Sequence, residues 1–349
     1  VAALPWLVML FFQPLWGLIA DRYGKLRTLK TSLIFSVVLF GLFSLLDHGL
    51  TSIIIATFLL AVFNTPILPI LDSIALDHVE TYGSTSYSNI RFWGAPGYGL
   101  GAAVTGWLIP EFGIDVVFVT SSFFLLIVLG SVFKISVSQY LGKTMDISFK
   151  GLDKVLTEKT LLGFLIIIII VSISQSAITF FFSLYMKQIG SSPEMTGTAI
   201  GIQAISELPF YFVGAWLLKK FKPNKIVFWA ILGTALRMFF YSITENPSMV
   251  LFIETMNGIT WALLWIASVE YINSLVPAKW RTTGQSLLWA AYFGAGAVLG
   301  NIISGNLYQE LPMQQVYLVN SIAMLIIAGI CGSLFLLSRF NKLRVTNSI

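Results

Sequence analysis

Eleven long apolar runs follow one another along this chain and leave little choice of fold. A helix needs about 20 apolar residues to cross the hydrocarbon core of a bilayer. Because a chain in lipid must satisfy its own backbone hydrogen bonds, the runs are predicted to be transmembrane helices, and the expected fold class is an all-α polytopic membrane protein. The runs lie near residues 1–20, 31–47, 50–74, 88–109, 115–136, 160–185, 196–218, 225–243, 249–273, 283–307 and 316–338.

Composition and pattern exclude the main alternative folds. Hydrophobic residues make up 56% of the chain and charged residues only 11%, whereas about a quarter of a typical soluble domain is charged. The mean hydropathy is +0.84. A soluble protein could not bury so much apolar surface, so the expected surroundings are a lipid bilayer. Residues 162–173 are continuously apolar, whereas the strands of a membrane β-barrel alternate in polarity.

Lysine and arginine are concentrated in alternate loops. Arg91, Lys187 and Arg237 are the exceptions, which leaves 18 of the 21 basic residues on one predicted side of the membrane. The positive-inside rule makes these basic loops and the C-terminus cytoplasmic. We therefore expect a multi-pass protein of the plasma or inner cell membrane. The loops of the opposite side carry mostly acidic residues, namely Asp47, Glu111, Asp115, Glu194, Glu245 and Glu310.

The polar stretch 138–159 is the longest in the chain and predicts a cytoplasmic linker between two domains. It separates an N-terminal helix bundle, 1–137, from a C-terminal six-helix bundle, 160–338. A cytoplasmic tail is predicted over 339–349.

The two predicted bundles resemble each other in sequence. Gly17-Leu-Ile-Ala-Asp-Arg-Tyr-Gly and Gly214-Ala-Trp-Leu-Leu-Lys-Lys-Phe each end a helix on the cytoplasmic side. Internal repeats of this kind are typical of secondary transporters. An offset of about 197 residues aligns Val1 with the second helix of the second half. We therefore expect eleven helices of a twelve-helix fold, five and six in two pseudo-symmetric bundles, with the first helix of an N-terminally truncated protein missing. Three glycines of the first half recur in the second at a constant offset of 199, as Gly97, Gly101 and Gly106 against Gly296, Gly300 and Gly305.

Several functional classes are excluded by what the sequence lacks. It shows no phosphate-binding loop, no nucleophile with a base and no metal-ligand cluster, so we expect neither an enzyme nor a cofactor or metal. Its positive charge is spread over many short loops, which argues against binding nucleic acid. The single cysteine, Cys331, excludes an intrachain disulfide.

One loop motif carries a family resemblance. The pattern Gly17-x-x-x-Asp21-Arg22-x-Gly24-x-x-Arg27 resembles the signature loop between helices 2 and 3 of the major facilitator superfamily. Gly17 permits close helix packing, and Asp21 can accept hydrogen bonds from the N-terminus of a neighbouring helix. The resemblance implies that this loop is a conformational latch, with Arg22 and Arg27 holding the cytoplasmic face in the outward-open state.

A finer resemblance points to one branch of that superfamily. Phe12-Gln-Pro-Leu-Trp-Gly, Tyr87-Ser-Asn-Ile-Arg-Phe-Trp-Gly, Ser206-Glu207 and Arg237 are similar to the branch that holds the lactose and sucrose permeases and the phenylpropionate-permease-like proteins. That branch consists mainly of proton symporters, and the family habit is monomeric.

Five charged residues lie in the body of the predicted helices: Asp72, Arg91, Glu207, Arg237 and Glu254. Because a charge at the bilayer centre is costly, each is a candidate for solute binding or proton coupling. The resemblance assigns Asp72 and Arg91 to solute binding, Glu207 to solute and proton, and Arg237 to release of the proton. A purely structural ion pair is the alternative for Asp72 with Arg91 and for Arg237 with Glu254.

The sequence departs from lactose permease where that protein carries a histidine and a proton-bearing glutamate. Asn257 and Thr260 stand there and cannot carry a proton, so any coupling falls to Glu207, Glu254 or Asp72. Tyr98 corresponds to the aromatic residue that stacks on the sugar. Three glutamines, Gln13, Gln175 and Gln203, are candidates for lining a cavity or for interhelical hydrogen bonds.

The function that these features favour is secondary active transport. We expect proton-coupled symport of a sugar, a nucleoside or an aromatic acid by alternating access. An uncoupled facilitator or an exporter of the same fold is one alternative. A non-transporting membrane sensor or scaffold is the alternative from another class.

Overall fold

The computed structural model describes residues 4–43, 45, 49–135 and 151–346, with side chains up to residue 333. Every regular element within these residues is helical, and the predicted fold class is confirmed. The helices of the first half are α1 Leu4–Tyr23, α2 Lys25–Phe43, α3 Leu50–Asn64, α4 Ile67–Tyr82, α5 Tyr87–Phe92, α6 Gly94–Phe112 and α7 Val116–Lys134. They are followed by α8 Leu152–Leu156, α9 Lys159–Gln188, α10 Pro193–Lys220, α11 Pro223–Ile243, α12 Pro247–Glu254, α13 Leu264–Leu275, α14 Arg281–Trp289, α15 Ala297–Glu310 and α16 Met313–Thr346.

Short helices of other types connect some of these elements. Two π-helices, Gly258–Leu263 and Ala290–Gly296, continue α12 into α13 and α14 into α15. A single 3-10 turn, Ala278–Trp280, precedes α14. Both π-helices lie inside membrane-length segments, so they change the helical register within the bilayer rather than at its surface.

Ten helical segments among the described residues are long and apolar enough to cross a membrane. Ten of the eleven predicted runs fall on them, and the remaining run, 88–109, falls on α5 and α6. That run is helical but interrupted at Trp93. Pro96 explains the interruption, because it has no N–H to donate to the carbonyl of Phe92 and its ring crowds that carbonyl. Helix α6 contains five glycines and is not among the ten segments.

The helix boundaries repeat along the chain. Helices α3, α4 and α7 begin at Leu50, Ile67 and Val116, and α12, α13 and α16 begin at Pro247, Leu264 and Met313. Each of the second set begins 197 residues after its counterpart in the first. The end of α1 at Tyr23 and the end of α10 at Lys220 are separated by the same number. The two halves therefore share one order of helices.

Contacts group the chain into two units. Unit 1 comprises Val1–Ile169 and Val269–Val298, and unit 2 comprises Ile170–Ser268 and Leu299–Ile349. The segment 269–298, which the sequence predicts in the C-terminal bundle, groups with unit 1 because α14 packs on α1 and α4. Of the predicted linker 138–159, residues up to 150 lie outside the described residues, and the remainder holds α8 and the first residue of α9.

Large apolar side chains cover the outer faces of the helices. Phe11, Trp107 and Phe252 are each about two-thirds or more exposed, at 66%, 76% and 72%. In water such a surface would drive aggregation. In a bilayer the same side chains face lipid, as the apolar runs of the sequence predict.

Candidate functional site

A buried ion pair joins α11 to the end of α12 in unit 2. Nη2 of Arg237 lies 2.5 Å from Oε2 of Glu254, and both side chains are almost fully excluded from the surface. Two charges in an apolar span must neutralise each other, because an isolated charge there would cost several kcal/mol. Two of the candidate residues predicted from the sequence, Arg237 and Glu254, therefore form an ion pair in the structure.

Neutral polar groups complete the surroundings of Arg237. Its Nη1 donates to Oδ1 of Asn257 at 2.6 Å and to Oγ1 of Thr260 at 3.0 Å. Its Nε donates to the hydroxyl of Tyr241 at 3.0 Å. The same hydroxyl donates to Oε1 of Glu254. Asn257 and Thr260 are thus ligands of the buried guanidinium.

Asn257 also connects this ion pair to Glu207. Its Nδ2 donates to Oε1 of Glu207 at 2.8 Å and to the carbonyl oxygen of Gln203 at 3.3 Å. The hydroxyl of Tyr211, one turn further along α10, donates to Oε2 of Glu207 at 3.2 Å. Unlike Glu254, Glu207 is only partly buried. One amide side chain therefore bridges a buried pair and a partly exposed carboxylate.

The local backbone brings these side chains together. The π-helix Gly258–Leu263 begins directly after Asn257 and carries Thr260. Gly258 packs so tightly on α10 that an added Cβ would overlap the ring of Phe210 and the carbonyl oxygen of Ser206. π-turns are rare and are frequently found at functional sites. The glycine permits the close approach that lets Asn257 reach Glu207.

Unit 1 contains a second buried carboxylate, Asp72 of α4. Its Oδ1 accepts from the hydroxyl of Tyr87 and its Oδ2 accepts from Nε1 of Trp289, both at 2.9 Å. Arg91 interacts electrostatically with Asp72, so the structure places the predicted acid and arginine near each other. Trp289 ends α14 and was not singled out from the sequence. Asp72 thus ties α4 to α5 and to α14.

Tyr98 lies apart from that cluster. It stands on α6 with 77% of its surface exposed, and no hydrogen bond or ring contact joins it to Asp72 or Arg91 in the described part of the chain. The structure therefore leaves the predicted stacking aromatic outside the group of residues around Asp72.

The signature loop meets the start of α14. Asp21 Oδ1 accepts from the backbone N–H of Thr282 at 3.1 Å, and its Oδ2 accepts from the N–H and the hydroxyl of Thr283 at 2.7 Å each. A carboxylate is favourable there, because the first N–H groups of a helix have no partner within the helix and carry partial positive charge. Gly24, between α1 and α2, has φ of 101°, which disfavours any residue with a Cβ.

An ionic cluster beside Asp21 was missed from the sequence. Arg281 pairs through Nη1 with Asp77 and through Nη2 with Glu80, and Lys25 also pairs with Asp77. Nε of Arg281 donates to Oδ1 of Asn273 at 2.7 Å. The available signal was the spacing of Asp77 and Glu80, three residues apart on one helix face.

The two arginines of the signature loop lie at the surface of the protein. Arg22 and Arg27 are exposed, and the guanidinium of Arg22 lies 5.3 Å from the ring centre of Tyr23. Lys25 and Arg281 both form ion pairs with Asp77 of α4. Among the described residues, no group of three or more His, Cys, Asp or Glu is placed to hold a metal ion.

A family model settles the broad class of the molecule. The model described as the MFS_1 like family matches residues 1–319. The chain belongs to the MFS_1 like family. This MFS_1 like protein is therefore a multi-pass secondary transporter of the major facilitator superfamily and not an enzyme.

Two curated relatives match almost the whole chain. The MFS_1 like protein is 25% identical over 327 residues to a maltose permease of Geobacillus stearothermophilus, which covers 93% of this chain and 82% of the permease. It is 27% identical over 339 residues to YwbF of Bacillus subtilis (strain 168), an uncharacterized transporter, with coverage of 95% and 82%.

Solved structures share the fold of the MFS_1 like protein. The E. coli fucose:proton symporter FucP matches with a TM-score of 0.72 at 12% identity, over 95% of this chain and 88% of that one. The nucleoside transporter NupG matches with a TM-score of 0.65 at 15% identity, over 95% and 88%. At these identities the likeness shows the fold alone.

Proposed function

We propose that this transporter is a proton-coupled symporter of a small polar solute, with a sugar as the leading class. The observation that carries the proposal is the bridge from the Arg237–Glu254 pair through Asn257 to Glu207. One relative with a stated substrate is a maltose permease. A nucleoside or an aromatic acid is the next candidate, and the resemblance to the lactose and sucrose permease branch supports the coupling.

Glu207 is the proton carrier in this proposal. A carrier must exchange its proton with water, and Glu207 is partly exposed while Glu254 is fully buried. Protonating Glu254 would leave the buried Arg237 without its counter-charge, at a cost of about 3–5 kcal/mol. Protonating Glu207 instead takes the net charge of these three groups from −1 to zero, which a low-dielectric site favours.

Asn257 transmits the protonation state of Glu207. Its Oδ1 is held by Arg237, so its Nδ2 is directed at the Glu207 carboxylate. A hydrogen bond to an ionised acceptor is stronger than one to a neutral acceptor. Loss of the charge therefore weakens the tie between α10 and the segment that carries Asn257, and this change biases the alternation between outward-open and inward-open states.

Solute binding is assigned to Asp72 and Arg91, with Tyr98 as a candidate stacking surface. The signature loop, Gly17 to Arg27, acts as the latch of the cytoplasmic side. Its central contact is the one that Asp21 of α1 makes with the first turn of α14. The protein works as a monomer in the cell membrane with its C-terminus in the cytoplasm. Two bundles, 1–137 and 160–338, rock about the pathway.

The first experiment identifies the solute. A thermal-shift screen of the purified protein against sugars, nucleosides and aromatic acids detects a ligand, because binding to the folded state raises its stability by mass action. The same screen on Arg91→Gln should lose the shift if Arg91 binds the solute.

Coupling is then measured in proteoliposomes with the solute that the screen identifies. Uptake should be driven by an inward proton gradient in the parent, and Glu207→Gln should abolish this uphill accumulation while equilibrium exchange continues. The matched control is Glu194→Gln, an exposed carboxylate in the first turn of the same helix, which should behave like the parent.

Gradient-independent uptake by the parent would overturn the coupling and favour the uncoupled facilitator instead. Gradient-driven uptake that survives in Glu207→Gln would move the proton site to another acid. A parent that exchanges no solute at all would favour a sensor or scaffold.

A further inference from the structure

One glutamine of α1 is buried, and its side-chain amide has no partner in the part of the chain that the structure describes. Gln13 has no exposed surface, and among the described residues neither its Oε1 nor its Nε2 reaches a hydrogen-bond partner. Gln175 provides the contrast, because its Nε2 donates to the carbonyl oxygen of Thr260 at 3.2 Å. Buried side-chain amides are normally paired, so the state of Gln13 needs a physical reason.

Gln13 lies on the face of α1 that packs against 281–296. Leu10, Gln13 and Gly17 share this face by their spacing of three and four residues. At one end, a Cβ added to Gly17 would lie 2.6 Å from Oγ of Ser286. At the other end, a Cβ added to Gly294 would lie 2.8 Å from Cα of Leu10. Gln13 therefore stands between two points at which the two segments are in close contact.

The opposite segment contributes a second polar atom in the same condition. Oγ of Ser286 is buried and has no hydrogen-bond partner among the described residues. A contact that served only packing would carry apolar side chains at both positions, as it does at Leu10. The two polar groups weaken the contact that they help to form, because each has given up water without replacement.

We infer that Gln13 is a gating residue, which lines the solute pathway when the contact between α1 and 281–296 opens and weakens that contact when it closes. The inference rests on the proposed transport function, since alternating access requires a contact that breaks. In the open state the amide is hydrated or meets a polar solute. In the closed state its burial keeps the contact reversible.

Opening is measured by the reactivity of a thiol within the contact. Cys331→Ser removes the only native cysteine of the chain, and Ser286→Cys then places a thiol opposite Gly17. In the purified full chain, Gln13→Leu should slow modification of this thiol by a small maleimide about tenfold, because the closed contact no longer buries an unsatisfied amide. Gln13→Met, which keeps the unbranched shape, should also slow it and provides a second variant if Gln13→Leu fails to fold.

Two controls fix the sign of the effect. Gly17→Ala should speed modification, because its methyl group forces the contact apart. Gln175→Leu, which removes a satisfied hydrogen bond in unit 2, should lower the melting temperature and leave the modification rate unchanged.

Equal or faster modification in both Gln13→Leu and Gln13→Met overturns the inference. An amide satisfied by a trapped water would give that result, since the apolar side chain would displace the water and loosen the contact. The assay uses neither solute nor proton gradient, so its outcome is independent of whether the coupling proposal succeeds.

Discussion

At the scale of single residues, Arg237 illustrates how a charge is made tolerable inside a membrane protein. It makes four hydrogen bonds, to Tyr241, Asn257, Thr260 and Glu254, from a side chain with five N–H groups. Little donor capacity remains for a solute. A carboxylate or phosphate on the solute would therefore have to be bound elsewhere. This favours a neutral solute beside the Arg237–Glu254 pair.

Removing the charge of Glu254 should destabilise the protein strongly. Glu254→Gln leaves the buried guanidinium without a counter-charge, and the free energy of unfolding should fall by about 3–5 kcal/mol. The measurement is the melting temperature of the purified protein in one detergent. Glu245→Gln, at an exposed position before α12, should change the free energy by no more than about 0.5 kcal/mol. A Glu254→Gln protein as stable as its parent would show that the pair is not formed.

Part of this cluster could be predicted from the sequence. Arg237 and Glu254 were recognisable as partners because both are charged and lie in the outer parts of apolar runs. The bridging role of Asn257 could not be predicted, because it depends on side-chain torsions and on the π-turn that follows. In the separate ionic cluster beside Asp21, the pairing of Asp77 and Glu80 with Arg281 was not predicted, because Arg281 is about 200 residues away in the sequence.

At the scale of helices, the π-turns explain where sequence periodicity no longer predicts the helix face on which a residue lies. A pattern of 3.6 residues per turn assigns a helix face only while the helix stays regular. The π-helix Gly258–Leu263 inserts a wider turn, so side chains beyond it face another direction than simple counting predicts. The break at Trp93 has the same effect in α5 and α6. Hydropathy locates such segments, but it does not reveal these irregularities.

A methyl group at Gly258 should disrupt the contact between the π-turn and α10. Gly258→Ala should destabilise the protein by about 1–3 kcal/mol, because its Cβ meets Phe210 and the backbone of Ser206. Gly197→Ala is the matched control, since nothing lies within 4 Å of the position of its Cβ. That substitution should be neutral or stabilise α10 by about 0.5–1 kcal/mol. Equal melting temperatures for the two variants would contradict the close contact at Gly258.

At the scale of the whole molecule, the repeat is the strongest organising feature. Helices of the two halves begin 197 residues apart at three places, and the fold matches transporters that share only 10–16% of its sequence. The lengths and hydropathy of the apolar runs predicted the positions of the membrane-length helices well, because the bilayer imposes both properties. The grouping of 269–298 with unit 1 was not predictable, since it depends on which helix faces meet.

The orientation of the molecule gives a prediction at this scale. Because 18 of the 21 basic residues lie in loops of one side, these loops and the C-terminus should be cytoplasmic. A green fluorescent protein fused after Ile349 should fluoresce in bacterial cells, whereas alkaline phosphatase at the same place should be inactive. A fusion at the loop that carries Glu245 should give the reverse pair of results, and identical results at both positions would refute the assigned topology.

The start of α14 depends on a residue from far away in the chain. Its own N-cap residue, Trp280, makes no side-chain capping bond, and Asp21 supplies the acceptors for Thr282 and Thr283 instead. Helix α5, at about the same place in the first half, is capped by its own Ser86 through the N–H of Asn89. The helix start in the first half is thus capped by its own N-cap residue, whereas the helix start in the second half is capped by a residue of another helix. Withdrawal of Asp21 would leave the first N–H groups of α14 without these acceptors, so separation of the two segments would be coupled to fraying of this helix end.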